Sequence, residues 1–344
     1  MNSEMNTGSM RIEAVSAYRS IVLCTIVLIA LSLWCGHVMG QAEWRPSRNI
    51  ELVVQAGAGG ASDRAARTLQ KIMQEKRLVD ASSTVVNKAG GGGALAYNYV
   101  NQHAGDAHYV LMSSGTLLTS HVIGQNPFRR TDFTPLAILC AEYSAFVVRA
   151  DSPLTDGKAL LAQLVSNPQD VRIALSPGLG NANHIALAMA VKAAGGDVKR
   201  LKVVVFPSAP ETITALLGGH VDLVVSPASP VLPHLAASTV RILAVSSAQR
   251  LPGALAGAPT WRELGADAVY GNWRGVLGPK GLTDPQVTYW SGVFSRLVAT
   301  PEWKEDVDKN LLAHQFIGGH ESRQFLEAEY RQISALMKDI GLAK

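Results

Sequence analysis

From Asn49 onward the chain alternates short, continuously apolar runs with segments of helical period, and this alternation more than any other feature restricts the folds open to it. Candidate strands lie at 50–55, 84–87, 109–113, 136–148, 171–175, 202–206, 221–225, 240–246 and 268–277. Most lack the polar alternation of a strand with one wet face, which suits parallel strands covered on both sides. Helical patterns fall between them at 63–74, 181–194, 210–217 and 229–237, and in the first Ala65, Leu69, Ile72 and Met73 share a face. Toward the C-terminus the character changes to three helices, 284–299, 301–311 and 321–340. The pattern predicts an α/β fold that binds ligands beyond the carboxyl ends of its strands. Two extended segments, 145–150 and 243–247, are candidate crossovers between lobes. They would divide the chain into one lobe at 44–146 and 248–344 and another at 147–247, with a hinge and a cleft between.

The N-terminus bounds the compartment. Arg11 and Arg19 precede an uncharged run at 21–34. That run is shorter than the roughly 20 residues a membrane-spanning helix needs. It fits the apolar core of a secretory signal peptide at 1–40, with Val38 and Gly40 placed for cleavage before Gln41. An uncleaved anchor is the alternative. Export leaves Cys140 as the only cysteine, so no internal disulfide is possible and the core must hold unaided. The net charge is +4, spread without a Lys/Arg run. A nucleic-acid partner is not expected on that basis.

The chemistry sits in glycine- and hydroxyl-rich loops. The first, GAGGASD at 57–63, follows a strand and opens a helix near Ser62 or Asp63. With side chains nearly absent at Gly57, Ala58, Gly59 and Gly60, backbone N–H groups and the helix N-terminus can approach a carboxylate or phosphate closely. Asp63 belongs to this loop as a contact or as the helix cap. The dinucleotide fingerprint would need glycine at Ser62, and no G-x-x-x-x-G-K-[ST] occurs. A second cluster, Gly90 to Gly93 after Asn87 and Lys88, fits close backbone packing as well as ligand approach. Ser113, Ser114 and Thr116 offer hydroxyls at the end of another strand.

The second half repeats the plan. Gly180, Asn181 and Asn183 lie in SPGLGNANH at 176–184, a loop that opens a helix; the two asparagines are open to two readings, helix cap or ligand contact. His184 falls in the first turn, where a core or capping role is expected. Ser208 and Ser226 mark two further strand-to-helix junctions. No G-x-S-x-G, no H-E-x-x-H and no metal-spaced His or Cys pair occurs. The chain therefore reads as a binder rather than an enzyme, without cofactor or metal.

In these loops, and in ordered pieces across nearly all of the mature chain, the sequence resembles the periplasmic solute receptors of tripartite tricarboxylate transporters, the Bordetella-uptake-gene family. The pieces are PSRNIELVV at 46–54, AGAGGASD at 56–63 with Arg67, Asn87-Lys88 with the four glycines, and DFTP at 132–135. LLGGHVD at 216–222, Pro233-His234, LAVS at 243–246, APT at 258–260 and GNWRG at 271–275 follow in order. The resemblance implies a two-lobed type II periplasmic-binding fold that closes on its ligand. It implies a small organic acid as ligand, with a di- or tricarboxylate, an aromatic carboxylate or an acidic amino acid all open. Delivery would be by a monomer to one large and one small integral membrane subunit; output to a membrane sensor remains the alternative, a secreted α/β enzyme a lesser one. Residues 57–60 and 113–116 would hold one carboxylate, and 180–183, Ser208 and Ser226 would face it. Three positions depart from the family: Gln55-Ala56 replaces a common Pro-Phe, Ser208-Ala209 a Tyr-Lys, and Ser226-Pro227 an Asp-Asn. Arg274 is a candidate carboxylate partner or a surface residue.

Overall fold

The computed structural model describes residues 44–176 and 178–344; the leader, with Cys24 and Cys35, lies outside the described residues. Residues 45–344 form one compact unit. Its first part runs β1 (Ile50–Val54), α1 (Ala61–Glu75), β2 (Ser83–Asn87), α2 (Ala94–Asn101), β3 (Tyr109–Ser114), α3 (Thr116–Val122) and the long β4 (Phe133–Arg149). The chain continues through α4 (Gly157–Ser166), β5 (Arg172–Leu175), α5 (Ala182–Ala193), β6 (Lys202–Val205), α6 (Ala209–Leu217), β7 (Leu223–Pro227), α7 (Leu232–Ala236) and β8 (Val240–Val245). It ends with β9 (Gly271–Pro279), α8 (Asp284–Val298), α9 (Pro301–Lys309), β10 (Ala313–Gly318) and α10 (Gly319–Asp339).

The strands form two sheets that share β4. Its first part pairs with β9 and β10, extending the series β2-β1-β3-β9, and from Ser144 onward it pairs with β7 and β8, with β5 and β6 beyond β7. Each sheet contains one parallel trio, β2-β1-β3 and β7-β5-β6. The expectation of largely parallel strands needs correction here, because β4, β8, β9 and β10 pair antiparallel. Continuous apolar sequence reports cover on both faces, which a strand in either direction receives when helices or loops pack on both sides. Ala65, Leu69, Ile72 and Met73 are all buried, as their shared face predicts.

The shared strand leaves one sheet and enters the other at a small hydrogen-bonded knot. The Ser144 N–H donates to Ser246 Oγ (3.0 Å), Ser246 Oγ donates to the Tyr270 carbonyl (2.8 Å), and Ser246 N–H donates to the Ser144 carbonyl (2.9 Å). Candidate crossovers at 145–150 and 243–247 thus fall on or beside the positions where β4 and β8 meet this knot. Earlier on β4, Cys140 is fully buried and in no disulfide, and burial pushes its thiol up to about 11. A thiolate is the reactive form. The native protein at pH 8 is therefore expected to resist a thiol reagent over a time in which the urea-unfolded chain is labelled fully. Equal labelling rates would contradict the assigned burial.

Candidate functional site

The first loop is organised by Asp63. The α1 helix begins at Ala61 with Gly60 as its cap, and no side chain caps it, so neither Ser62 nor Asp63 is the N-cap. Asp63 is instead the third helical residue and reaches back. Its Oδ2 accepts from the Gly59 N–H (2.8 Å) and Arg67 Nε (2.9 Å), and its Oδ1 accepts from Asn87 Nδ2 (2.9 Å). Asn87 Nδ2 also donates to the Ala56 carbonyl (3.0 Å). One carboxylate thus ties the loops after β1 and β2 to α1. The Arg67 bond first, with the Gly59 and Asn87 bonds outweighing burial, holds Asp63 down at about 2. Fully engaged, it is the scaffold of the loop. Gly57, Ala58 and Gly59 remain exposed, and among the described residues the N–H groups of Gly57 and Ala58 have no acceptor.

The loop after β3 joins the same end of the sheet through Gln55, which stands where the family commonly has proline. Gln55 is buried; its Nε2 donates to Ser114 Oγ (3.0 Å) and its Oε1 accepts from the Tyr97 hydroxyl. Ser114 Oγ in turn donates to Thr116 Oγ1 (3.2 Å), which is exposed, whereas Ser113 is buried and its hydroxyl has no partner among the described residues. The glycine run at 90–93 has a packing cause. All four residues have positive φ, and a Cβ on Gly93 would lie 2.5 Å from the Tyr97 ring.

The second trio gathers its own loops at the carboxyl ends of β5, β6 and β7. Asn181 caps α5 by accepting from the His184 N–H (2.9 Å), and its Nδ2 donates to the Ser176 carbonyl (2.5 Å). Asn183 donates to the same carbonyl (3.2 Å) and accepts from Ser144 Oγ (2.8 Å), which anchors this loop to the strand crossing. Of the two readings left open, the cap holds for Asn181, and Asn183 is buried. Gly180 is buried too; its N–H donates to His184 Nδ1 (3.0 Å), and burial lowers His184 to about 4, so its ring is neutral. Ser208 Oγ donates to Glu211 Oε1 (2.7 Å), and the buried Ser226 Oγ donates to the Pro227 carbonyl (3.1 Å).

Both groups of loops reach the crossing. Asn183 does so through Ser144. On the other side, a Cβ built on Gly115 would lie 3.1 Å from Asn272 Oδ1 and 3.3 Å from the Tyr270 hydroxyl. Arg274 stands apart from both expectations for it. It is buried inside the first sheet, paired with Glu142 Oε2 at 2.8 Å, because β9 and β4 run antiparallel and set the two side chains close together.

Two sheets sharing one strand, with glycine and hydroxyl loops at the carboxyl ends of two parallel trios, define a solute-binding receptor of the type II periplasmic-binding fold. Residues 65–342 match the model of the tripartite tricarboxylate transporter family receptor, and the chain belongs to that family. It is 31% identical over 302 residues to a UPF0065 protein from the tcbD-tcbE intergenic region of a Pseudomonas species, covering 83% of this chain and 87% of that protein. A TctC solute-binding protein from Polaromonas superposes with a TM-score of 0.75 at 25% identity, over 85% of this chain and 99% of that one. An R. palustris protein solved with adipate superposes with a TM-score of 0.70 at 23% identity, over 87% and 99%. The chain is thus a periplasmic receptor that serves a tripartite transporter.

Proposed function

We propose that the receptor captures a small organic acid with two or more carboxylates between two lobes, 44–146 with 248–344 and 147–247, and closes on it. It releases the acid unchanged to one large and one small membrane subunit and acts as a monomer. The observation that carries this reading is the convergence of the two parallel trios on one crossing. Each trio ends in loops of small residues and hydroxyls, and the free N–H groups of Gly57 and Ala58 suit an anion that brings its own charge. The adipate held by the R. palustris relative supports a dicarboxylate. The leader at 1–40 is removed on export in this reading, and mass spectrometry of the periplasmic protein should find an N-terminus near Gln41 and not at Met1.

A thermal-shift screen of the mature protein with organic acids tests the ligand class, because binding to the folded state raises the midpoint. Gly60→Val sharpens the test. A Cβ there already lies 3.1 Å from the Gly57 carbonyl, so a branched side chain displaces the backbone that would meet the anion. Binding should weaken by tenfold or more while the fold persists. Wild-type affinity in a folded Gly60→Val protein would reduce the first loop to a turn. Recovery of a chemically altered ligand after incubation would favour an enzyme.

A further inference from the structure

Three shielded polar atoms near the strand crossing have no hydrogen-bond partner among the described residues: the Tyr270 hydroxyl, the Trp273 indole Nε1 and Glu329 Oε2. The first two flank Gly115, where a built Cβ would lie 3.3 Å from the Tyr270 hydroxyl and 3.8 Å from Trp273 Nε1. Glu329 sits on the inward stripe of α10, in step with the buried Leu326, Ile333 and Leu336. It lies one turn beyond Phe325, whose ring meets that of Trp273 edge-on at 6.5 Å between centroids, and burial first, then the charge of Glu329, raise the hydroxyl pKa of both Tyr270 and Tyr143. Buried polar atoms are rarely left unsatisfied, so two donors beside Gly115 and an acid on the helix that packs against Trp273 mark a recognition surface.

We propose that these three side chains form a proton-linked subsite. A carboxylate of the captured solute lodges against the Tyr270 hydroxyl, the Trp273 N–H and a protonated Glu329, so capture takes up one proton from solvent. No bond of the solute breaks; the proton rests on Glu329 and is donated as a hydrogen bond. This inference rests on the organic-acid reading above and adds a specificity determinant to it.

The charges around Glu329 support the assignment. On β4 and β9, Arg274 is committed to Glu142. Along α10 itself, Glu327 is held by Arg130 and Arg331, and Asp339 by Lys192 of α5. His184 of α5 is neutral, and His314 of β10 pairs with Asp308. On α3, His121 lies with its ring 6.0 Å from Tyr330. The α8 helix meets the first turn of α10, where Ser291 Oγ accepts from the Gly319 N–H. No guanidinium or ammonium among the described residues pairs with Glu329, and burial raises it to about 7. An ionised Glu329 would set two carboxylates side by side, which is strongly disfavoured; the neutral acid turns the repulsion into a donor.

Calorimetric titration of the mature protein with adipate, succinate, malate and citrate tests the proposal, run from about pH 6 to pH 9 in buffers of differing ionisation enthalpy. Wild-type affinity for the acid that binds should fall about tenfold per pH unit above pH 7, with proton uptake rising from near zero at about pH 6 to close to one per ligand above about pH 8. Glu329→Gln keeps a donor but cannot titrate, so its affinity should be flat with pH and its proton uptake absent. Tyr270→Phe should weaken binding at every pH and keep the wild-type slope. Binding with no proton uptake and the same pH profile in wild type and Glu329→Gln overturns the subsite while leaving the receptor reading intact. Silence of the whole panel at both ends of the pH range overturns the organic-acid reading and the subsite with it.

Discussion

Replacing Asp63 by alanine is expected to cost roughly 2–3 kcal/mol of folding stability at pH 7, as the Gly59 N–H and Asn87 Nδ2 lose a buried, charged acceptor. The side chain is 2% exposed and holds the Gly59 N–H, Asn87 Nδ2 and Arg67 Nε together. Arg67, 53% exposed, returns to water on substitution at little cost, so the loss falls on the Gly59 amide and on Asn87. The direction with pH follows from the pKa. Asp63 in the folded chain sits at about 2 against an ordinary 3.8, so its contribution is complete above pH 4. It is lost as the pH falls through 2. Urea unfolding should therefore separate wild type from Asp63→Ala at pH 7, by an amount that shrinks below pH 4. Coincident curves at pH 7 would mean that the loops after β1 and β2 do not depend on this carboxylate.

That scaffold role shows where sequence reading reaches its limit. The nine strands expected from apolar runs are all present within a few residues, because burial on both faces leaves a signal in composition alone. The missed strand, Ala313–Gly318, lies on the edge of its sheet and pairs only with β4. Its half-exposed His314, Gln315 and Phe316 gave no apolar run to detect. Strand direction was illegible for a related reason, since apolar cover does not depend on it. In the candidate site, glycine positions and hydroxyl loops could be read locally. The use each side chain is put to could not be. Asp63, Asn181 and Asn183 were open to cap or contact roles in one dimension, and in three their hydrogen bonds run to Gly59 and Asn87, to Ser176 and His184, and to Ser176 and Ser144. Glu329 was within reach of the sequence, as an acid in step with Leu326 and Ile333 on a helix whose stripe is otherwise apolar. Tyr270 and Trp273 arrive from a distant segment, and only the fold sets that segment against the helix that carries Glu329.

Glu329→Gln is expected to stabilise the ligand-free receptor by roughly 2–3 kcal/mol at pH 8 and to leave it unchanged near pH 4. The sign is opposite to that of Asp63. Burial sets the folded pKa of Glu329 at about 7, above the ordinary 4.5, so the folded state holds this proton more tightly than the unfolded chain does. Below pH 4.5 both states are protonated and the side chain is neutral in its effect. As the pH climbs toward 7 the folded protein must either keep the proton or bury a charge without a cation, and stability declines. Glutamine carries the same shape with no charge to bury, so the two unfolding curves should part between pH 4.5 and 7 and run parallel above. Curves that stay together to pH 8 would show that Glu329 reaches solvent, and the proposed subsite would lose its acid. A buried acid that weakens the empty protein near neutral pH is a poor choice for packing alone, since glutamine or leucine would fill the stripe without the penalty. The cost becomes intelligible if the same proton is what a captured carboxylate needs, because binding then relieves the strain that the empty site carries.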